Sequence, residues 1–247
     1  MSLTAKESID RKKVVTRHNP HVTAIDTLAS LTVGNGGFAF TVDATGLQTF
    51  PELYSKGVPL GTMSDWGWHS FPNKKHYKHS ETLVARDFHR GHEEYYAAQF
   101  KENGRQKDAS NYFRQNPHRL HLGTIGFAFD TPALVTDVDE TLDMWTGKVE
   151  STFRYAGHKY HVMTVCDPDN DVIASHIESD STIEVVLRFP YPTGAHSDDA
   201  CNWNAEDKHT TELSVDGRGA LITRVVDGVV YFVNLECNKG TRIRKKD

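Results

Sequence analysis

Residues 142–177 read LDMWTGKVESTFRYAGHKYHVMTVCDPDNDVIASHI. The stretch runs strand, turn, strand, turn, strand. Strand-like segments at 148–155, 158–166 and 171–178 are set off by Thr146-Gly147, Ala156-Gly157 and the polar run Asp167 to Asn170. The same grammar extends outward in both directions, with strands predicted at 28–33, 37–43, 120–130, 141–145, 182–189, 211–215, 219–226 and 229–235. Asp216-Gly217 and Asp227-Gly228 supply further turns, and LITRVV-DG-VVYFVNL over 221–235 is a hairpin signal of the strongest short-range kind. Eleven short strands with little helical periodicity predict an all-β chain, an antiparallel β-sandwich or supersandwich with few short helices. One helix is expected at 108–115, capped by Asp108 and stopped before Pro117, while 87–107 stays open between helix and strand. Residues 1–19 read as a charged, extended lead-in ending at Asn19-Pro20, and 20–247 as a single domain.

The chain has 247 residues and a net charge of −5, with a pI near 6.3 and a mean hydropathy of −0.54. That balance argues against a nucleic-acid partner, which needs a clustered basic face. The basic runs Arg11-Lys12-Lys13 and Arg242 to Lys246 lie at the ends and read as solvated. No apolar run approaches the roughly 18 residues of a membrane span, so no membrane partner is expected. Cys166, Cys201 and Cys237 lack CxxC spacing and form no framework. They read as mostly buried thiols with at most one disulfide. The opening MSLTAKES has no hydrophobic signal core; its Met-Ser-Leu fits a leader standing where a signal peptide was removed.

Residues 33–73 read VGNGGFAFTVDATGLQTFPELYSKGVPLGTMSDWGWHSFPN. The first half alternates Phe38, Phe40 and Val42 between glycines. The second half has neither helical nor strand periodicity, yet it holds Trp66, Trp68, His69 and Phe71, with Tyr77 just beyond. So long an aperiodic loop in a compact domain needs a purpose. Asp65, Trp66, Trp68 and His69 form a candidate carbohydrate-binding or domain-docking loop, because pyranose C–H faces pack on indole while hydroxyls bond nearby acids. The alternative of a hydrophobic clasp closing the loop on its own domain stays open. The flanking lysines and the breaks at Gly57, Pro59, Gly61, Gly67 and Pro72 place at least one indole, together with His69, at a groove or exposed patch.

These residues also carry a resemblance. Gly34-Asn35-Gly36 through Phe40, Asp43 to Pro51, Ser64-Asp-Trp-Gly-Trp-His-Ser70, Asn116-Pro-His-Arg-Leu-His-Leu-Gly123 and the 142–177 pattern resemble the N-terminal domain of bacterial glycoside hydrolases related to family 65 and its clan. The resemblance spans roughly residues 20–235. It implies a galactose-mutarotase-like β-supersandwich that precedes a linker and an (α/α)6-barrel, the catalytic carboxylates belonging to that barrel and not to these residues. It also implies a periplasmic or secreted parent, with the chain's own C-terminal catalytic domain and a carbohydrate as partners.

Other constellations read blandly. Four histidine pairs spaced by three occur, His76/His79, His89/His92, His118/His121 and His158/His161, without H-E-x-x-H. His89-Arg-Gly-His92-Glu93 is the best metal candidate among them, yet no metal and no cofactor is expected. Asp167 to Glu178 imitates a calcium loop, but Val172 stands where its bend needs glycine. The carboxylate groups Asp137/Asp139/Glu140 and Asp198/Asp199 give no recognisable glycosidase pair, and Val33 to Gly37 lacks the Lys-Ser/Thr of a phosphate loop. The expected role is a non-catalytic N-terminal domain that scaffolds a catalytic barrel and lends a Trp-rich loop to sugar binding. An independent carbohydrate-binding module, or a mutarotase-like epimerase using Glu206 and His209, are the rival expectations.

Overall fold

The structure, a computed structural model, describes residues 9–245; the MSLTAKES opening and Lys246 lie outside them. Among the described residues its regular structure is mostly antiparallel strands with three short helices, as the turn grammar predicts. By contact the chain divides into two compact units.

The first unit takes residues up to 67, 121–189 and 196–199. Its centre is a five-stranded meander. Strands Val135–Asp143, Lys148–Tyr155, His158–Cys166 and Ile173–Ser179 follow one another, and His21–Val22 pairs on the outer edge of the first. The hairpins close where the sequence places them: Gly147, Ala156 and Gly157 hold positive φ of 68°, 50° and 87°, the conformation that tight hairpin turns require. The first strand begins earlier than the expected 141–145, because a bulge between Thr136 and Asp139 re-aims it and lets pairing resume.

A second sheet, Leu31–Gly34, Phe38–Val42 and Thr62–Ser64, faces this meander. Val33, Phe40 and Val42 on one side and Val149 and Val162 on the other are buried, as the period-two alternation demands. Leu47, Phe127, Phe153 and Tyr160 extend the core. Each such side chain contributes about 1.5–3 kcal/mol of burial. Buried hydroxyls also tie the layers: Ser151 donates to the Ala44 carbonyl at 2.7 Å and Thr164 to that of Gly46 at 2.8 Å. The turn they grip is organised by Asp43, whose carboxylate accepts the amides of Thr45, Thr49 and Phe50 and the Thr45 hydroxyl. Gly46 sits there at φ +72°, where an added Cβ would lie 3.0 Å from Val162.

The extended lead-in expected before residue 20 is interrupted by helix α1 (Arg11–Thr16), because Asp10 accepts the Lys13 amide as an N-cap. A second helix, α2 (Pro51–Tyr54), was not legible; proline at its first position starts it.

The second unit takes residues 68–120, 190–195 and 200 onward. Its main sheet is the meander His209–Asp216, Gly219–Val226 and Val229–Glu236. Arg224, on the central strand, is fully buried and donates to the Thr210 carbonyl at 2.9 Å. The ambiguous stretch 87–107 resolves as a hairpin, Leu83–Asp87 with Glu93–Ala97, followed by helix α3 (Arg105–Gln115). Helix α3 starts three residues before the expected 108, so Asp108 lies in its first turn, where it favours the positive helix end without capping it. The two-residue strands Trp68–His69 and His118–Arg119 pair, as do Tyr191–Pro192 and Cys201–Asn202. The three cysteines are half-buried and share no disulfide.

Candidate functional site

The tryptophan motif spans the division between the units: Ser64, Asp65 and Trp66 belong to the first, Trp68 and His69 to the second. Each half is built differently. In the first unit the pairing of Phe38 with Ser64 sets the start of the motif, and the Asp65 amide donates to the Gly37 carbonyl at 2.8 Å. Asp171 Oδ2 then accepts both the Ser64 hydroxyl at 2.6 Å and Trp66 Nε1–H at 2.7 Å. The residue that looked like part of a calcium loop is thus the holder of an indole. Its turn is braced from within, since Asp167 Oδ1 accepts the amides of Asp169 and Asn170. Asn35, from the glycine-rich turn, donates to the carbonyls of Asp167 and Asn170. Trp66 remains 51% exposed: its N–H is anchored and much of its ring is wet.

In the second unit Trp68 and His69 lie on one short strand, so their side chains point to opposite faces. Trp68 is 46% exposed, and the Arg119 guanidinium lies 4.1 Å from its ring centre. Such a contact is worth about 0.5–1 kcal/mol at an exposed site and restrains the ring. His69 is the other case. Expected at an exposed patch beside the indoles, it is only 1% exposed, because strand alternation turns it inward wherever Trp68 faces out.

His69 instead centres a hydrogen-bonded chain. Its Nδ1 is 3.1 Å from His118 Nε2 and its Nε2 is 3.1 Å from Asp227 Oδ2. His118 Nδ1 lies 2.7 Å from the Gln115 carbonyl, and the Tyr191 hydroxyl donates to Asp227 Oδ2 at 2.7 Å. Phe71 meets His69 edge-on at 5.1 Å. Burial and the neighbouring His118 pull the His69 imidazole below its ordinary proton affinity, and Asp227 opposes them. Burial, reinforced by Asp227, pushes the Tyr191 phenol up to about 12.

The remaining candidates are scattered. His209 pairs with Arg224 through Nδ1 at 2.9 Å and stacks parallel to Tyr191 at 6.4 Å; burial, then Arg224, lowers its proton affinity. Glu206 lies in a short 3-10 turn ahead of it. Asp137 pairs with Arg154, Asp139 with His21, and Glu140 is sealed in the core. Asp198 pairs with Lys56. His92 pairs with Glu94, and His121 is buried against the Leu60 carbonyl. Among the described residues no three His, Cys, Asp or Glu gather as a cation would need. A shallow hollow of about 500 Å³ in the first unit is lined by charged groups, among them Arg154 paired with Asp137 and His161 paired with Glu178.

Four residues of these arrangements carried no signal in sequence for the roles they take. Asp227 reads as a hairpin turn residue, Asp171 as part of an imitation calcium loop, His118 as half of a spaced pair, and Tyr191 as nothing in particular. His69 and Asp227 are 158 positions apart, a separation that no local pattern bridges.

A family model described as the N-terminal domain of glycosyl hydrolase family 65 matches residues 68–241. The match begins at Trp68, so the Gly34 to Gly67 part of the sequence resemblance lies ahead of it. No curated protein matches the chain.

Proposed function

Because the chain belongs to the family of glycosyl hydrolase family 65 N-terminal domains, we propose that it serves a glycoside hydrolase as a non-catalytic β domain with two tasks. It presents Trp66 and Trp68 to carbohydrate, and it docks on its own C-terminal catalytic domain. The observation that supports the first task is the state of the indoles: each is about half exposed and each is held in place, Trp66 through its N–H on Asp171 and Trp68 under Arg119. A restrained, wet aromatic face contributes sugar stacking at little cost in conformational entropy. A clasp built to close the loop would bury its rings.

Supporting the second task is the outward face of the meander in the second unit. Leu221, Val230 and Phe232 are exposed there, Phe232 by 60%, beside Thr223 and Val225 on the same face by register. Apolar surface gathered in this way marks a docking surface more often than a free one.

The test of the sugar task is glycan binding and denaturant melting of Trp66→Ala and Trp68→Ala. Each substitution should leave stability within about 1 kcal/mol of the parent, as for surface changes generally, while affinity for a bound oligosaccharide falls at least tenfold in one of them. A stability loss of roughly 3–5 kcal/mol, the penalty for a buried aromatic, with binding intact would leave the clasp as the correct reading.

A further inference from the structure

Three contacts run in series through His118 and His69: Gln115 carbonyl to His118 Nδ1, His118 Nε2 to His69 Nδ1, and His69 Nε2 to Asp227 Oδ2, at 2.7, 3.1 and 3.1 Å. A hydrogen bond needs one proton between its two heavy atoms. Carbonyl and carboxylate oxygens carry none here, since the Tyr191 hydroxyl donates toward Asp227. All three protons must therefore come from the two imidazoles, which when neutral bring only two between them. The chain is complete only when one imidazole is a cation facing the Asp227 carboxylate. One proton fewer leaves two nitrogen lone pairs opposed.

Where the gap falls is decided by the partners. The Gln115 carbonyl can only accept, so neutral His118 keeps its proton on Nδ1. The Asp227 carboxylate, held by Tyr191, draws the neutral His69 proton to Nε2. The unprotonated contact is then the His69–His118 one, a side-chain tie between the two short strands that also carry Trp68 and Arg119. We infer that Asp227, His69 and His118 are positioning residues for Trp68: with three protons the chain locks the Trp68–His69 strand to His118–Arg119, and with two the His69–His118 tie opens and the indole loosens.

Other charged and titratable groups stand around the chain. Tyr191 lies 6.4 Å from His69, ring to ring. Beyond it, Lys208 Nζ sits 5.2 Å from the Tyr191 ring, and His209 stacks on that ring with Arg224 on its far side. Arg119 is engaged with Trp68. Among the described residues it is Asp227 that brings negative charge to His69, against burial and His118. The third proton is therefore bound more weakly than by a free imidazole and is lost in a window below about pH 6.5. The unfolded chain binds it more tightly. Acidification through that window thus lowers the stability of the domain even as it completes the chain.

The inference borrows from the proposed function only the importance of Trp68, and its test uses no sugar. Nitrogen-15 NMR of the intact chain, titrated from about pH 4.5 to 8 with the Trp68 indole signal assigned through Trp68→Phe, reads both ends of the chain. His69, His118 and the Trp68 indole should share one transition. Below it His69 should have both ring nitrogens protonated, and above it only Nε2. Asp227→Asn removes the stabilising charge and should move the shared transition down by about one pH unit or more. His118→Phe should leave His69 titrating while the indole no longer follows. A Trp68 signal flat across a His69 titration in the parent chain would overturn the inference, whatever the variants do. Independent transitions for His69 and His118 would do the same. Absent glycan binding, with the shared transition present, would count against the proposed function and leave the positioning role of Asp227, His69 and His118 standing.

Discussion

Glu140 shows how far a single buried group can depart from what its type suggests. Its side chain lies in the core of the first unit, and neither carboxyl oxygen meets a hydrogen-bond partner. Burial, and then the nearby Asp43, push its carboxyl from 4.5 to about 9; the Gly46 amide opposes this weakly, being already given to the Asp43 carbonyl at 2.9 Å. In the folded state the group is neutral at pH 7, whereas in the unfolded chain it is ionised. The fold therefore binds the extra proton, and stability falls as pH rises from about 4.5 toward about 9. Between pH 5 and 8 the loss is on the order of 4 kcal/mol. Glu140→Gln should flatten that part of the profile, so that the variant gains on the parent steadily between pH 5 and 8 in denaturant melts. Parallel profiles would show that Glu140 ionises freely. In sequence this residue was one of three clustered carboxylates, Asp137/Asp139/Glu140, and its alternation within the strand gave no warning, since an acid on the inward face looks like an error of register until the strand's partners are known.

At the scale of the element, hairpins were legible and close packing was not. The 148–155, 158–166, 219–226 and 229–236 strands stand within a residue of their predicted bounds because Gly and Asp at positive φ fix both turn and register. The strand Thr124–Phe127 was expected to be longer, over 120–130, and its meaning escaped the sequence. Gly126 lies against the backbone of Gln48 and Thr49, where a Cβ would fall 2.4 Å from the Gln48 carbonyl oxygen. The Gln48 amide donates to the Ile125 carbonyl at 2.8 Å in the same crossing. Backbone cannot retreat as a side-chain tip can, so Gly126→Ala should destabilise by at least about 2–3 kcal/mol, the cost of overpacking. Gly36, at φ +97° with nothing within 4 Å, is the control: Gly36→Ala meets only conformational strain and should cost about 1 kcal/mol. Equal losses at the two sites in thermal melts would refute the close-approach argument.

For the whole molecule, what matters is the surface left over once each unit has folded. The exposed Leu221, Val230 and Phe232 face fits a domain made to be covered. Replacing two of these residues, Val230→Thr with Phe232→Ser, should change stability by less than about 1 kcal/mol while reducing self-association of the isolated chain in sedimentation. A loss of several kcal/mol would show that the face is already covered within the fold. The sequence by itself determined the class of this protein. Short alternating runs broken by Gly and Asp can satisfy their backbone groups only as antiparallel sheets, and the Trp-x-Trp motif with its flanking strands pointed to the family that the chain proves to belong to. Both are local signals, carried by residues a few positions apart. Tertiary structure alone decided which polar groups work together. Asp171 holds Trp66 across 105 positions and Asp227 meets His69 across 158, and strand alternation, not residue type, put Trp68 in water and His69 out of it. Such pairings depend on which faces the folded sheets bring together, and no pattern within one segment of chain encodes that.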